Sequence, residues 1–278
     1  MKTRAKSAFI MAPLLVFVFL GGHILALGMA ALTILALHEY TKAFGEKRPS
    51  LRVQAASAVI LYICYCFFSF WQHFFIVLFL WLFVSLLLCF ISMFAVEKRD
   101  LMQGMASVTG VVYIIFLGFH IVLIDVMFSV PFFEAGILRV TGLQSYVWIV
   151  FLSAFGADIF AYFTGRLIGK HKLCPSISPN KTVEGAVGGF FGSVALCGLF
   201  GYFFLPGGFV VCIIIGAVCG VVSQLGDLSA SVLKRKIGIK DWGTLIPGHG
   251  GVLDRIDSVL FTAPAVFYIL FFWSIAGI

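Results

Sequence analysis

Apolar runs long enough to cross a lipid bilayer recur along the whole chain, at 9–37, 53–70, 74–95, 106–124, 146–165, 183–204, 209–229 and 258–277. A helix needs about 20 apolar residues to cross the hydrocarbon core, and in lipid only helices and closed barrels satisfy their own backbone. These runs are too long and too uniformly apolar for barrel strands. The expected fold is therefore an all-α polytopic membrane protein. Composition agrees: 62% of the 278 residues are hydrophobic and 11% charged, where soluble domains carry about 25% charged residues.

The connections alternate in charge. The segments 42–52 (Lys42, Lys47, Arg48, Arg52), 97–103 (Lys98, Arg99), 166–181 (Arg166, Lys170, Lys172, Lys181) and 234–240 are basic, whereas 71–73, 125–145 and 205–208 share a single cation, Arg139. Basic loops stay cytoplasmic. Lys2, Arg4 and Lys6 want the same side as 42–52, so the run 9–37 crosses an even number of times. It reads as a short hairpin turning near Gly21-Gly22, thin enough to stop short of the far face, with its second arm continuing past His38-Glu39. That parity argues against a cleaved signal peptide, which a basic head and apolar run otherwise resemble. The expected count is about nine transmembrane helices, with the N-terminus cytoplasmic and the C-terminus external.

The net charge of +7 sits in these short loops, where topology accounts for it; no nucleic-acid partner is expected. The seven cysteines lie mostly within apolar runs without a CxxC pair and read as small buried hydrophobes. The 125–145 connection is long but unremarkable.

Three polar intrusions break the apolar pattern. Asp158 lies inside AFGADIFAYFTGRLIGK, where a carboxylate costs about 2.5–3.5 kcal/mol at the bilayer centre and so faces a bundle interior or water. Tyr162 shares its face one turn on, and Arg166 is a candidate ion-pair partner. In SPNKTVEGAVGG, residues 178–189, Ser178-Pro179 reads as an N-cap with proline in the first helical position, which puts Lys181 in the opening turn, suited to an anion. Gly185, Gly188 and Gly189 would let another helix approach closely.

The stretch from Ser223 to Ser258 is the densest. Asp227, Ser231 and Lys234 share one helical stripe, and Asp254 and Asp257 share another. Carboxylates about 4 Å apart repel by roughly 4 kcal/mol even at an effective dielectric near 20, so Asp227, Asp254 and Asp257 together call for a cation. Mg2+ suits an all-oxygen site beside phosphates; Lys234, Arg235 and Arg255 could instead neutralise it as an ion network. Gly243, Gly248, Gly250 and Gly251 surround His249 and permit close approach to a ligand.

The run Ser231-x-Leu233-Lys234-Arg235, Lys240-Asp241, Gly243, Ile246-Pro247-x-His249-Gly250-Gly251-Val252-x-Asp254-Arg255-Ile256-Asp257 resembles the signature of the phosphatidate cytidylyltransferase family without departure. SPNKTVEG is similar to that family's upstream element, with Asn180 where lysine is common. The likeness covers about 145 to the end, so the resemblance divides the chain into an N-terminal transmembrane region, 1–144, and a C-terminal catalytic region, 145–278. It implies that CTP and phosphatidic acid give CDP-diacylglycerol and pyrophosphate. Asp227 and Asp254, with Asp257, would hold Mg2+, with room for a second cation such as K+. Lys234, Arg235, Lys240, Arg255 and Lys181 would bind phosphates, with Ser231, Gly250 and Gly251 beside them, and Asp241 and His249 would orient these groups or the nucleotide. The implied setting is a bacterial inner membrane with the site facing the cytoplasm. Small-residue faces permit a homodimer without demanding one. The alternatives are a CTP-dependent lipid or polyprenol kinase and, from a different class, a transporter of phosphorylated anions.

Overall fold

A computed structural model describes residues 15–45, 49–68, 74–94, 101–131, 133–135, 138–245 and 250–277. His249 lies outside them. Among the described residues, besides the helical stretch 15–20, eight helices carry the fold: α1 Gly22–Ala43, α2 Leu51–Phe68, α3 Phe74–Phe94, α4 running through Leu101–Thr109, a π-helical Gly110–Phe116 and Leu117–Phe128, then α5 Val147–Ile168, α6 Val183–Phe204, α7 Phe209–Lys236 and α8 Leu253–Ile275. Among the described residues seven of these are long and apolar enough to cross a membrane, and α2 is a shorter apolar helix. The class matches the expectation. A ninth span would be the first hairpin arm, of which the helical stretch 15–20 is described.

The hairpin turns where the glycines are. Gly21 and Gly22 have φ of 65° and 53°, which side chains with a Cβ rarely tolerate. A Cβ on Gly21 would also lie 2.5 Å from Thr141 Oγ1. The Gly22 N–H donates to buried Asp125 Oδ2 at 2.6 Å, placing a carboxylate at the start of α1, and the Gly142 N–H donates to Phe19 O at 2.9 Å. The tip is thus fixed to the segment 125–145, and α1, whose 22 residues rise about 33 Å, extends from there to the opposite end of the bundle. The second arm is a full-length helix; of the first, residues 15–20 are described. The 125–145 segment is also more structured than expected: β1 Phe133–Ala135 pairs antiparallel with β2 Leu138–Val140, next to the buried polar knot of Asp125, Ser129 and Ser145.

The π-helical stretch in α4 has a local cause. Gln54 Nε2 donates to Ser107 O at 3.0 Å, and Tyr40 Oη donates to Ala106 O at 3.0 Å. Those carbonyls would otherwise receive the amides one turn on, so the ladder widens at Gly110, where a Cβ would lie 2.1 Å from Gln54 Nε2. Side chains inserted into the ladder are an identifiable origin of such irregularities.

Helices α5 to α8 pack through small residues, as membrane helices without a hydrophobic driving force between them do. A Cβ on Gly185 or Gly189 of α6 would fall 2.8 Å from Ala161 O or 2.7 Å from Ala157 O of α5. The glycine face expected to admit another helix is consumed within the chain. A Cβ on Gly216 or Gly220 of α7 would meet α6 backbone at Val194 or Phe190, and one on Gly226 would lie 3.0 Å from Asp257 O of α8.

One local expectation is corrected. Ser178-Pro179 does not cap a helix; Ser178–Thr182 is strand β4, paired with β3, Lys172–Cys174. The helix starts at Val183 with Thr182 as N-cap, its Oγ1 accepting from the Gly185 N–H at 3.1 Å. A threonine hydroxyl there satisfies an otherwise orphaned amide, and Glu184 in the first turn accepts from the Lys170 and His171 amides at 3.0 and 3.2 Å, anchoring the hairpin. Proline at 179 is no obstacle in a two-stranded ribbon, whose strands are both edges.

Candidate active site

The 28 residues of α7 rise about 42 Å, more than the roughly 30 Å of a hydrocarbon core, so its charged end projects beyond the apolar body. Asp227, Ser231 and Lys234 lie along that end. Ser231 Oγ reaches Asp227 Oδ1 at 3.5 Å. Because β4 is extended, Lys181 is carried across to α7, with its Nζ 2.5 Å from Asp227 Oδ2. Both side chains are partly exposed, so this pair contributes little to stability, about 0–1 kcal/mol. It can exchange partners.

The second pair is different. Lys234 Nζ donates to Asp254 Oδ1 at 2.7 Å and stands 4.0 Å from Asp257 Oδ2, with side chains only 10%, 4% and 9% exposed. Asp254 Oδ2 accepts from the Trp242 and Gly251 amides at 2.8 and 2.9 Å. Asp254 therefore ties α7 and both sides of the loop 242–251 to the start of α8. Gly250, at φ 85°, would put a Cβ 2.9 Å from Asp254 Oδ2, so this glycine is demanded twice.

Two other signature glycines have an unexpected reason. A Cβ on Gly243 would lie 2.6 Å from Glu39 Oε1, and one on Gly251 2.4 Å from Glu39 Oε2. Glu39, at the far end of α1, is buried among them and accepts from the Leu253 N–H at 3.0 Å. The close approach these glycines permit is to the protein's own carboxylate. Tyr40 packs on Trp242 beside it, ring centroids 5.4 Å apart.

A cleft of about 420 Å³ opens next to Asp227, lined by Asp158, Tyr162, Arg166, Asn180, Lys181 and Gln224 among others. Asp158, Tyr162 and Arg166 repeat at helical spacing and form the α5 wall, with Arg166 Nη1 donating to Tyr162 Oη at 3.1 Å. Asp158 is exposed into this space.

The sequence-derived residues thus divide. Lys181, Asp227, Ser231, Lys234, Gly250, Gly251, Asp254 and Asp257 come together around the junction of α7, α8 and β4. Arg235 turns back to donate to Ile239 O at 3.1 Å, closing the end of its own helix. Lys240 and Asp241 are exposed on the loop. Glu39 was not among the candidate residues, although a carboxylate at the end of an apolar run was its signal.

Among the described residues no three His, Cys, Asp or Glu side chains converge as a metal-binding group. Mg2+ keeps several waters, however, and needs only one or two carboxylates, which Asp227 and Asp257 can provide. Lys181 and Lys234 occupy the positions next to the carboxylates that a cation would take. The residues fit the ion if those ammonium groups transfer to an incoming anion.

Fold and site together define a polytopic helical membrane protein with a paired lysine and aspartate centre at one end of its bundle. The profile of the cytidylyltransferase family matches residues 2–273, and the chain belongs to that family. It is similar to the phosphatidate cytidylyltransferase of Synechocystis sp., 48% identical over 122 residues, 43% of this chain and 41% of that one. The phosphatidate cytidylyltransferase of Bacillus subtilis is 42% identical over 131 residues, 47% and 49% of the two chains, and that of Helicobacter pylori 41% over 140, 50% and 52%. These matches span about half the length of each curated relative.

Proposed function

We propose that the protein is a phosphatidate cytidylyltransferase of a bacterial inner membrane, with its site facing the cytoplasm. An oxygen of the phosphatidic acid phosphate attacks the α-phosphorus of CTP. The bond from that phosphorus to the bridging oxygen of the β-phosphate breaks, pyrophosphate leaves with its electron pair, and CDP-diacylglycerol remains. The nucleophile is already anionic, so no strong base is needed; alignment and charge neutralisation are the main tasks.

The observation that carries this reading is the exchangeable, partly exposed pairing of Lys181 with Asp227 beside an open cleft, next to the buried pairing of Lys234 with Asp254 and Asp257. Triphosphate and lipid phosphate would draw the lysines away from the carboxylates, joined by Arg255, Lys240 and Arg235. Asp227 and Asp257, with Asp254, would then hold Mg2+, which supplies charge stabilisation to the attacking and leaving oxygens; a second cation such as K+ belongs to the same proposal. Asp254 also keeps the 242–251 loop in register through its amide contacts, and His249 and Asp241 orient the phosphates or the nucleotide from that loop. The exposed apolar residues Phe163, Leu167, Val183 and Val187, on the helices that line the cleft, support lateral entry of the lipid. The catalytic region then corresponds to 145–278, with 1–144 closing one side of it through Glu39.

Purified protein given phosphatidic acid and CTP labelled at either the α or the γ position decides the matter. Mg2+-dependent α-label in the lipid is expected; γ-label would establish a lipid kinase instead.

A further inference from the structure

Two conformations compete for the segment that carries Lys181. Ser178-Pro179 is a competent helix start, and a helix begun there would keep Lys181 on its opening turn instead of carrying it across to α7. The strand wins because β4 has a partner: Lys172 stands opposite Thr182 and Cys174 opposite Ser178, and the Val183 N–H donates to His171 O at 2.9 Å. A two-stranded ribbon is marginal by itself, so β3 must be held from outside. Glu184 holds it. Its Oε2 accepts from the Lys170 and His171 amides at 3.0 and 3.2 Å, and its Oε1 stands 2.7 Å from His171 Nδ1. Two amides and an imidazole at the entry to β3 thus converge on one carboxylate in the first turn of α6. The ribbon held in this way forms a wall of the cleft through Leu173, Asn180, Lys181 and Thr182.

We infer that Glu184 is a positioning residue for Lys181: by clamping the start of β3 to α6 it keeps β4 extended and holds the Lys181 ammonium 2.5 Å from Asp227 Oδ2, where an incoming phosphate is met. What Lys181 meets there rests on the proposed reaction; the clamp goes beyond it, giving a role to a carboxylate that acts through another residue. Release of the clamp frees the ribbon to take the helical start, which withdraws Lys181 from the carboxylates. Misplacing an aligning group by about 1 Å can cost on the order of 100-fold in rate. The pair of His171 and Glu184 has side chains 79% and 22% exposed, and ion pairs at the surface add little to stability. Turnover should therefore feel the loss of the clamp far more than folding does.

The test is a cycle of Glu184→Ala and Lys181→Ala in the full chain in detergent, scored by transfer of α-label from CTP to phosphatidic acid. Glu184→Ala should lower turnover on the order of 10–100-fold with the melting temperature nearly unchanged. With Lys181→Ala already present it should lower turnover by less than about twofold, because a residue that acts through Lys181 then has nothing left to position. Glu184→Gln keeps one oxygen for the two amides and should recover most of the loss. Equal losses in the two backgrounds overturn the inference, as does a Gln variant no better than Ala, or a melting temperature that falls in step with activity. Amide exchange without substrate is read alongside: Glu184→Ala should speed exchange across 170–182 and leave 190–204 as it was. Unchanged protection at 170–182, or loss of protection throughout α6, overturns the inference too. If the unsubstituted protein transfers no label, the proposed reaction fails, while the exchange comparison still decides whether Glu184 clamps the ribbon.

Discussion

The contact between Glu39 and Gly251 lends itself to a double-mutant cycle. Gly251→Ala places a Cβ 2.4 Å from Glu39 Oε2 and 2.7 Å from its Cδ, a full ångström inside ordinary contact, with both residues buried. Overpacking of this kind costs about 1–3 kcal/mol. The carboxylate can yield only by leaving the Leu253 N–H, and a stranded buried donor costs a further 1–3 kcal/mol or so. Gly251→Ala should therefore destabilise by about 3 kcal/mol. Glu39→Ala alone should lose the charged hydrogen bond, roughly 1.5–3 kcal/mol. In the Glu39→Ala background the new methyl group meets empty space, so Gly251→Ala should then cost under about 1 kcal/mol and the cycle should show about 2 kcal/mol of coupling. Equilibrium unfolding of the four proteins in mixed micelles measures it. Additive costs would refute the reasoning and return Gly251 to a purely ligand-facing role.

Lys234→Met leaves Asp254 and Asp257 buried without their cation and should cost about 3–5 kcal/mol, read by the same unfolding assay. Lys181→Ala should change stability by less than about 1 kcal/mol yet lower CTP-dependent turnover about 100-fold, as loss of one preorganised phosphate contact does; turnover and melting temperature measured together separate the two. Thr182→Ala removes the N-cap of α6 and should cost about 1 kcal/mol, with faster amide exchange confined to residues 183–186.

What was legible in the sequence is what depends on local composition. Long apolar runs mark helices because lipid offers the backbone nothing else, and the glycine pair at 21–22 marks a turn because few other residues adopt its dihedrals. The strand at 178–182 was misread because Ser-Pro is an equally good helix start, and the β3 pairing and the grip of Glu184 on the Lys170 and His171 amides decide against it. Clustering of Asp227, Lys234, Asp254 and Asp257 could be anticipated from spacing on two helices. The partner of Glu39 could not, because Leu253 lies 214 residues away and periodicity carries no information at that range. Nor could the glycines at 243 and 251 disclose whether a ligand or a neighbouring side chain fills the space they leave.

The bond from Leu253 to Glu39 also dictates a timetable. During synthesis the segment bearing Glu39 enters the bilayer well before the amide that engages it, which leaves the ribosome 214 residues later with α8. Until then a nascent chain carries an acidic group near the membrane boundary with its eventual partner unmade, so chains truncated before α8 would be both inactive and exposed to quality-control proteases. Insertion of α8 and engagement of Glu39 are, by this route, one event.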